Sequence, residues 1–181
     1  MIFAEKKVTL KDGTQAVLRA PEKADAAMLL EGLKVTAAET DFILRTPEEI
    51  TMTVEDEEKF IDRLNASPND TMILAIVDGK YAGNLHIGSS GRVKTGHFGT
   101  IGIALAREFW GRGVGTLLMN EAIGIGREAG LHHLELEVFA PNARAIALYK
   151  KVGFKTVGTR PFYARLKDGT YMDLDIMQLI L

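Results

Sequence analysis

The sequence has no cysteine. That excludes disulfides, thiolate zinc ribbons and a cysteine nucleophile, and it suits a reducing compartment. No run of about 18 apolar residues occurs, the length a membrane-spanning helix needs. No membrane partner is expected. There is no surplus of positive charge either: 22 Lys and Arg stand against 24 Asp and Glu, a net charge of −2. Proteins that grip nucleic acid by its phosphates usually carry a basic excess, so no nucleic-acid partner is expected. Met1 to Leu10 holds Glu5, Lys6 and Lys7 where a secretory leader needs an apolar stretch, which makes the cytoplasm the expected location. Low-complexity tracts and internal repeats are absent. What is present is ordinary for a folded domain. Of 181 residues, 46% are hydrophobic and 25% charged, so disorder of the whole chain is excluded and one domain with a substantial core is expected over residues 1–181.

Along the chain, helical and extended patterns mix. Val8 to Arg19 reads as a hairpin turning at Asp12-Gly13. Lys23 to Glu39 has helical spacing, with Ala27, Leu30, Val35 and Ala38 on one side. A second helix starts at Thr53, which caps an acidic first turn, and ends near Ser67-Pro68. Met72 to Val77 and Tyr81 to Ile87 read as strands joined at Asp78-Gly79. A glycine-rich strand, Gly96 to Leu105, precedes a helix from Gly113 to Glu128. Leu134 to Val138 alternates, with its leucines and valine on one face and Glu135 and Glu137 on the other. A short helix, Asn142 to Lys151, and a final hairpin about Lys167-Asp168-Gly169 complete an α/β pattern.

The strongest chemical signal is Trp110-Gly111-Arg112-Gly113-Val114-Gly115-Thr116, between a predicted strand and a predicted helix. Its glycines let the backbone adopt positive φ and approach a ligand. The amides opening the next helix then suit phosphate oxygens, and Arg112 offers a charge-assisted contact. A plain tight turn explains three glycines equally well. A P-loop requires Gly-Lys-Ser/Thr, but Thr116 follows Gly115 directly. A dinucleotide fingerprint requires G-x-G-x-x-G. Here the spacing is G-x-G-x-G, although Glu135 and Glu137 lie at roughly the distance its acidic residue would need. Gly124 and Gly126 fall inside the helix and read as close packing.

The second signal runs from Leu136-Glu137-Val138 through Asn142 to Leu148-Tyr149 and Gly153-Phe154. Together, in this order, the two segments resemble the Gcn5-related N-acetyltransferase (GNAT) superfamily, specifically from about Gly99 to Phe154. The branch they most resemble contains ribosomal-protein N-terminal and small-molecule acetyltransferases. The resemblance implies a mixed central sheet with a splayed strand pair and flanking helices. It implies acetyl-CoA as donor and no metal. The pyrophosphate would rest on the amides of Arg112, Gly113, Val114, Gly115 and Thr116. The pantetheine arm would run along Ile103, Ala104 and Leu105, and Asn142 would bond it while also serving as a helix cap. Trp110 departs from the Gln or Arg usual at that position.

The same resemblance makes Tyr149 the acid that protonates the departing thiolate; by its spacing alone, a core aromatic is the competing reading. Glu137 matches the family's base, directly or through water, against a solvated strand face. His97 is the second candidate base, against an ordinary strand histidine. Thr100 stands where related sequences often carry Glu. Backbone N–H groups near Ile103 to Leu105 would meet an oxyanion. Without cysteine, direct attack in a ternary complex is the simplest scheme. His132 and His133, adjacent in a strand, are expected to point to opposite faces and not to share a metal.

The acceptor side is expected from the early helices and the last hairpin. The acidic stretch between Glu39 and Glu58 would attract a cationic amine or is simply a solvated face. Phe42, Phe162, Tyr163 and Tyr171 would line an aromatic pocket or belong to the core. The expected function is transfer of acetyl from acetyl-CoA to a primary amine of a small molecule. The alternatives are a protein N-terminal or lysine acetyltransferase, and a non-catalytic acyl-CoA-binding module. A homodimer through the C-terminal strands is expected.

Overall fold

The computed structural model describes residues 2–181; Met1, where the expected domain begins, lies outside them. The chain divides into two compact units. One comprises residues 2–88 with Ile103–Leu118. The other comprises Ser89–Gly102 with Met119–Leu181.

The first unit opens with a hairpin, β1 (Lys6–Thr9) and β2 (Gln15–Arg19). The Asp12 side chain accepts the Thr14 N–H at 3.0 Å, and Gly13 N–H donates to Leu10 O. This side-chain turn makes Asp-Gly an effective reversal. Helix α1 (Ala26–Glu39) follows a short 3-10 turn. Its buried face is Ala26, Leu29, Leu30, Thr36 and Ala37. The expected face through Ala27, Val35 and Ala38 is instead exposed; only Leu30 is shared. The stripe of small residues allowed two overlapping faces, and packing against the strand beneath selected one. Helix α2 (Val54–Ala66) begins as expected: Thr53 Oγ1 accepts the Asp56 N–H, and the Asp56 carboxylate accepts the Thr53 N–H. This reciprocal cap satisfies two otherwise orphaned donors.

Strands β3 (Asp70–Val77) and β4 (Lys80–Ser89) follow, and β1 to β4 pair antiparallel in sequence order. Ala26, Leu29, Ile61 and Leu74 form its core, flanked by Met28, Ile76 and Tyr81. The β3–β4 register shifts beside Ala75, where Gly83 pairs.

Strand β5 (Phe98–Leu105) begins in the second unit and ends in the first. Helix α3 (Val114–Glu128) crosses in the other direction. The second unit continues with β6 (His133–Phe139), helix α4 (Ala143–Lys151), β7 (Lys155–Arg165) and β8 (Tyr171–Ile180). β5 and β6 are parallel; β6 with β8, and β8 with β7, are antiparallel. The β5–β6 register runs from Phe98↔His133 to Ile101↔Leu136, short of both strands' ends. Leu134, Leu136 and Val138 are buried while Glu137 is exposed, the alternation expected of β6. Gly126 packs where a Cβ would lie 2.8 Å from Leu181 and 3.0 Å from Leu134, so it is a close-packing glycine as expected; Gly124, whose Cβ would meet nothing within 4 Å because it faces open space, is not.

Candidate active site

The first unit carries the glycine turn. β5 ends at Ile103, Ala104 and Leu105, all half-buried. A Cβ on Gly83 would lie 2.4 Å from a Leu105 methyl carbon and 2.5 Å from the Ala104 carbonyl oxygen, so only glycine permits this approach. Ala106 N–H donates to Ala82 O at 3.2 Å. A 3-10 turn, Arg107–Phe109, buries Phe109. The Trp110 indole N–H donates to Leu105 O at 2.8 Å. Trp110 thus ties the turn back to the strand end, which gives the unusual residue at this position a structural role. Arg107 donates its backbone N–H to the Glu39 carboxylate at 2.8 Å and its guanidinium to the Glu39 carbonyl, joining the end of α1 to the turn.

Gly111 and Gly113 take positive φ, 78° and 100°. The backbone reverses there, and α3 starts at Val114. The first amides of a helix have no intrahelical acceptor and form a positive pole. Nothing lies within 4 Å of the Cβ position of Gly111, so the turn is open to approach. These are the properties a pyrophosphate needs.

Arg112 behaves differently from expectation. Its Nε donates to Asp12 at 2.6 Å and its Nη2 to Thr14 at 2.9 Å, while the guanidinium lies over Phe109. Its carbonyl accepts the Lys11 N–H at 3.1 Å. Backbone and hydroxyl hydrogen bonds from Thr14, with that from Arg112, hold Asp12 down to a pKa of about 2. The β1–β2 turn therefore grips the glycine turn, and the Arg112 side chain is engaged in that grip. The residue this brings in is Lys11. Its aliphatic stem passes 3.2 to 3.6 Å from the Cβ position of Gly113. Sequence reasoning missed it because about a hundred residues separate the two turns; only the Asp-Gly turn signal marked the place.

The second unit carries the candidate acid and bases. Asn142 caps α4, its Oδ1 accepting the Ala145 N–H at 3.1 Å. That leaves its amide NH2 as a donor. Tyr149, on the same helix, is buried beside Phe154, and burial pushes its hydroxyl up to a pKa of about 12. Glu137 lies on the exposed face of β6, with Oε1 2.7 Å from Nη1 of Arg160 on β7. The guanidinium of Arg160 rests 5.8 Å from the Tyr163 ring, and Tyr163 packs near Phe139. Phe162 and Tyr171 meet edge to face at 5.9 Å.

His97 is not brought to Glu137. It clusters with Phe98, His132 and His133 at the other end of β6. Four residues of strand put that end about 13 Å from Glu137. The expectation that His132 and His133 diverge is corrected. Their Nδ1 atoms are 3.1 Å apart, because His132 precedes the strand and escapes its alternation. Its N–H bonds His97 O and its carbonyl accepts from Leu181. Burial, then the neighbouring His132 and His97, lower the His133 pKa. Among the described residues, no group of three or more His, Asp or Glu side chains is placed to hold a metal ion. No described helix is long and apolar enough to cross a membrane.

Residues 38–154 match the sequence profile of the acetyltransferase (GNAT) family. The chain belongs to that family. It is an N-acetyltransferase that transfers acetyl to an amine, and enzymes of this family use acetyl-CoA. L-amino acid N-acetyltransferase AaaT of Escherichia coli is 36% identical over 113 residues, 62% of this chain and 69% of that protein. N-alpha-acetyltransferase RimI of Mycobacterium tuberculosis is 33% identical over 101 residues, 56% of this chain and 62% of that one. Among solved structures, a GNAT-family acetyltransferase from Streptococcus pneumoniae superposes with a TM-score of 0.87 at 32% identity, over 92% of this chain and 99% of that one. The yncA protein of Salmonella typhimurium, solved with acetyl-CoA, shares the fold with a TM-score of 0.80 at 21% identity, over 92% and 94%. The glycine turn of this acetyltransferase suits that donor by the open space at Gly111 and by the helix start that follows it.

Proposed function

We propose that this acetyltransferase acts on the amine of a small molecule, and that its acceptor is a free amino acid. The observation that carries this is the likeness to AaaT, named for L-amino acids, over most of both chains. Relatives in Pseudomonas, 35% identical over 69 residues, are named for L-methionine sulfoximine and sulfone, which are also amino-acid derivatives. Acetyl-CoA supplies the acetyl thioester. The amides of Arg112 to Thr116 bind its pyrophosphate, with the Lys11 ammonium as an added cation. Ile103, Ala104 and Leu105 offer their backbone to the pantetheine arm, and Asn142 offers its NH2.

The acceptor ammonium first loses one proton through Glu137 to water, which leaves a neutral amine to attack; Glu137 then takes the proton that the nitrogen loses as its bond to carbon forms, when that nitrogen is most acidic. Tyr149 is assigned to the departing sulfur. With a pKa of about 12 it keeps its proton at rest and supports the developing thiolate as a hydrogen-bond donor. His97, at the far end of β6, is not assigned as base. We read residues 1–181 as one catalytic domain, since β5 and α3 both run from one unit into the other. A single cooperative unfolding transition is the expected sign. We also propose a homodimer formed through β7, an outer strand exposed along most of its length, to be checked by sedimentation. A cysteine-free chain suits the cytoplasm.

The test is thiol release from acetyl-CoA against free amino acids, simple amines and N-terminal peptides. Turnover with free amino acids is expected. Turnover confined to peptides would transfer the assignment to a protein N-terminal acetyltransferase.

A further inference from the structure

We propose that Arg160 recognises the carboxylate of the acceptor, and that the Glu137–Arg160 ion pair is a two-point site for an α-amino acid. The proposal rests on the amino-acid reading above and adds the residue that would enforce it. Glu137 pairs with Ile176 of β8, and Ile176 pairs with Gly158 of β7. Arg160, two residues beyond Gly158, therefore shares the Glu137 face, and the two side chains meet across β8 at 2.7 Å. Both are open to solvent, 38% and 50% exposed. Ion pairs at such exposure hold weakly, so a ligand exchanges with them readily.

A free amino acid carries opposite charges on neighbouring groups, the complement of this pair. Its carboxylate fits the guanidinium fork, and its amine then lies at Glu137. The exchange has a consequence for the base. In the resting structure Arg160 occupies Glu137 Oε1. An acceptor carboxylate draws the guanidinium away and frees that oxygen for the amine proton. An amine without a carboxylate leaves the base engaged.

The surroundings of Arg160 support the assignment. Its guanidinium lies against Tyr163, whose ring packs near Phe139, so one backed aromatic ring supports the fork. The β7–β8 register breaks between Arg160 and Ala164. Within that break Phe162 adopts a left-handed backbone, φ 54°, its N–H held by Asp173 at 2.8 Å. Bulges and strained residues of this kind re-aim side chains beside functional sites. Phe162 is left 72% exposed against Tyr171, an apolar surface for an acceptor side chain.

The experiment compares each of a panel of L-amino acids with its own primary amide, in wild type, Arg160→Gln and Arg160→Lys, at saturating acetyl-CoA. Wild type is expected to favour the acid about ten- to a hundredfold in kcat/KM, the range of a charge-assisted contact. In Arg160→Gln the acid-to-amide ratio is expected to fall toward one, through a raised KM for the acid; Arg160→Lys should restore part of it. Circular dichroism and acetyl-CoA binding by calorimetry establish that the variants are folded. Equal wild-type rates on acid and amide would overturn the proposal, as would an Arg160→Gln loss that leaves the ratio intact. Turnover of no free amino acid, with peptides turned over, would instead sink the amino-acid reading beneath it.

Discussion

Replacing Gly83 with alanine tests how the end of β5, proposed to hold the pantetheine arm, is positioned. The new Cβ would stand 2.5 Å from the Ala104 carbonyl oxygen and 2.4 Å from the Leu105 methyl. The methyl can rotate aside, but the carbonyl is backbone. Restoring an ordinary contact requires β4 and the end of β5 to part by about 0.9 Å, which strains the Ala106–Ala82 hydrogen bond. Overpacking of this size costs about 1–3 kcal/mol. For a chain of this length that lowers Tm by about 3–10 °C. Because Ala104 and Leu105 are the backbone assigned to the pantetheine arm, a shift near 1 Å also predicts a loss of up to about a hundredfold in kcat/KM. Gly102→Ala, whose Cβ would meet nothing within 4 Å, is the control. Chemical denaturation gives the stability, and calorimetry with CoA gives the affinity. If Gly83→Ala matched Gly102→Ala in stability, the close-approach argument would fail. If it were destabilised yet bound and used acetyl-CoA normally, the link from Gly83 to the cofactor strand would fail.

Tyr149→Phe is expected to lower kcat by about a hundredfold or more. Burial raises the Tyr149 pKa from about 10 when unfolded to about 12 when folded. The stability tied to this proton is fully present below pH 10 and lost as pH rises to 12, about 3 kcal/mol in all. The Phe variant should show a shallower alkaline decline in denaturation midpoint; identical declines would contradict the assigned burial. Lys11→Gln should weaken CoA binding about fivefold at low salt, with the gap closing as salt screens the contact. An unchanged affinity at low salt would remove Lys11 from the phosphate site. Thr53→Ala should cost about 1 kcal/mol of unfolding free energy, measured by denaturant titration, through loss of the α2 cap, and no loss would falsify that role.

Much of this protein was legible locally. Asp12-Gly13, the Thr53 cap, the alternation of β6 and the positive φ of Gly111 and Gly113 each act through neighbours in sequence, so composition and spacing determine them. The Asn142 cap of α4 was legible because cap and helix are contiguous in sequence. The face of α1 was misjudged, because overlapping small and apolar stripes acquire a preference only from what packs against them. His132 and His133 came together because the strand starts one residue later than their alternation assumed. Other features depend on segments far apart in the chain. The Arg112 guanidinium was spoken for by Asp12 and Thr14, Lys11 was carried to the glycine turn, and Arg160 was laid on Glu137 across β8. No spacing rule reports such pairs, because their proximity comes from strand register, and register is set by burial of the opposite faces. The sequence by itself determined most of the elements, the family and the glycine turn. Only the tertiary structure decided which charges each of those elements would meet.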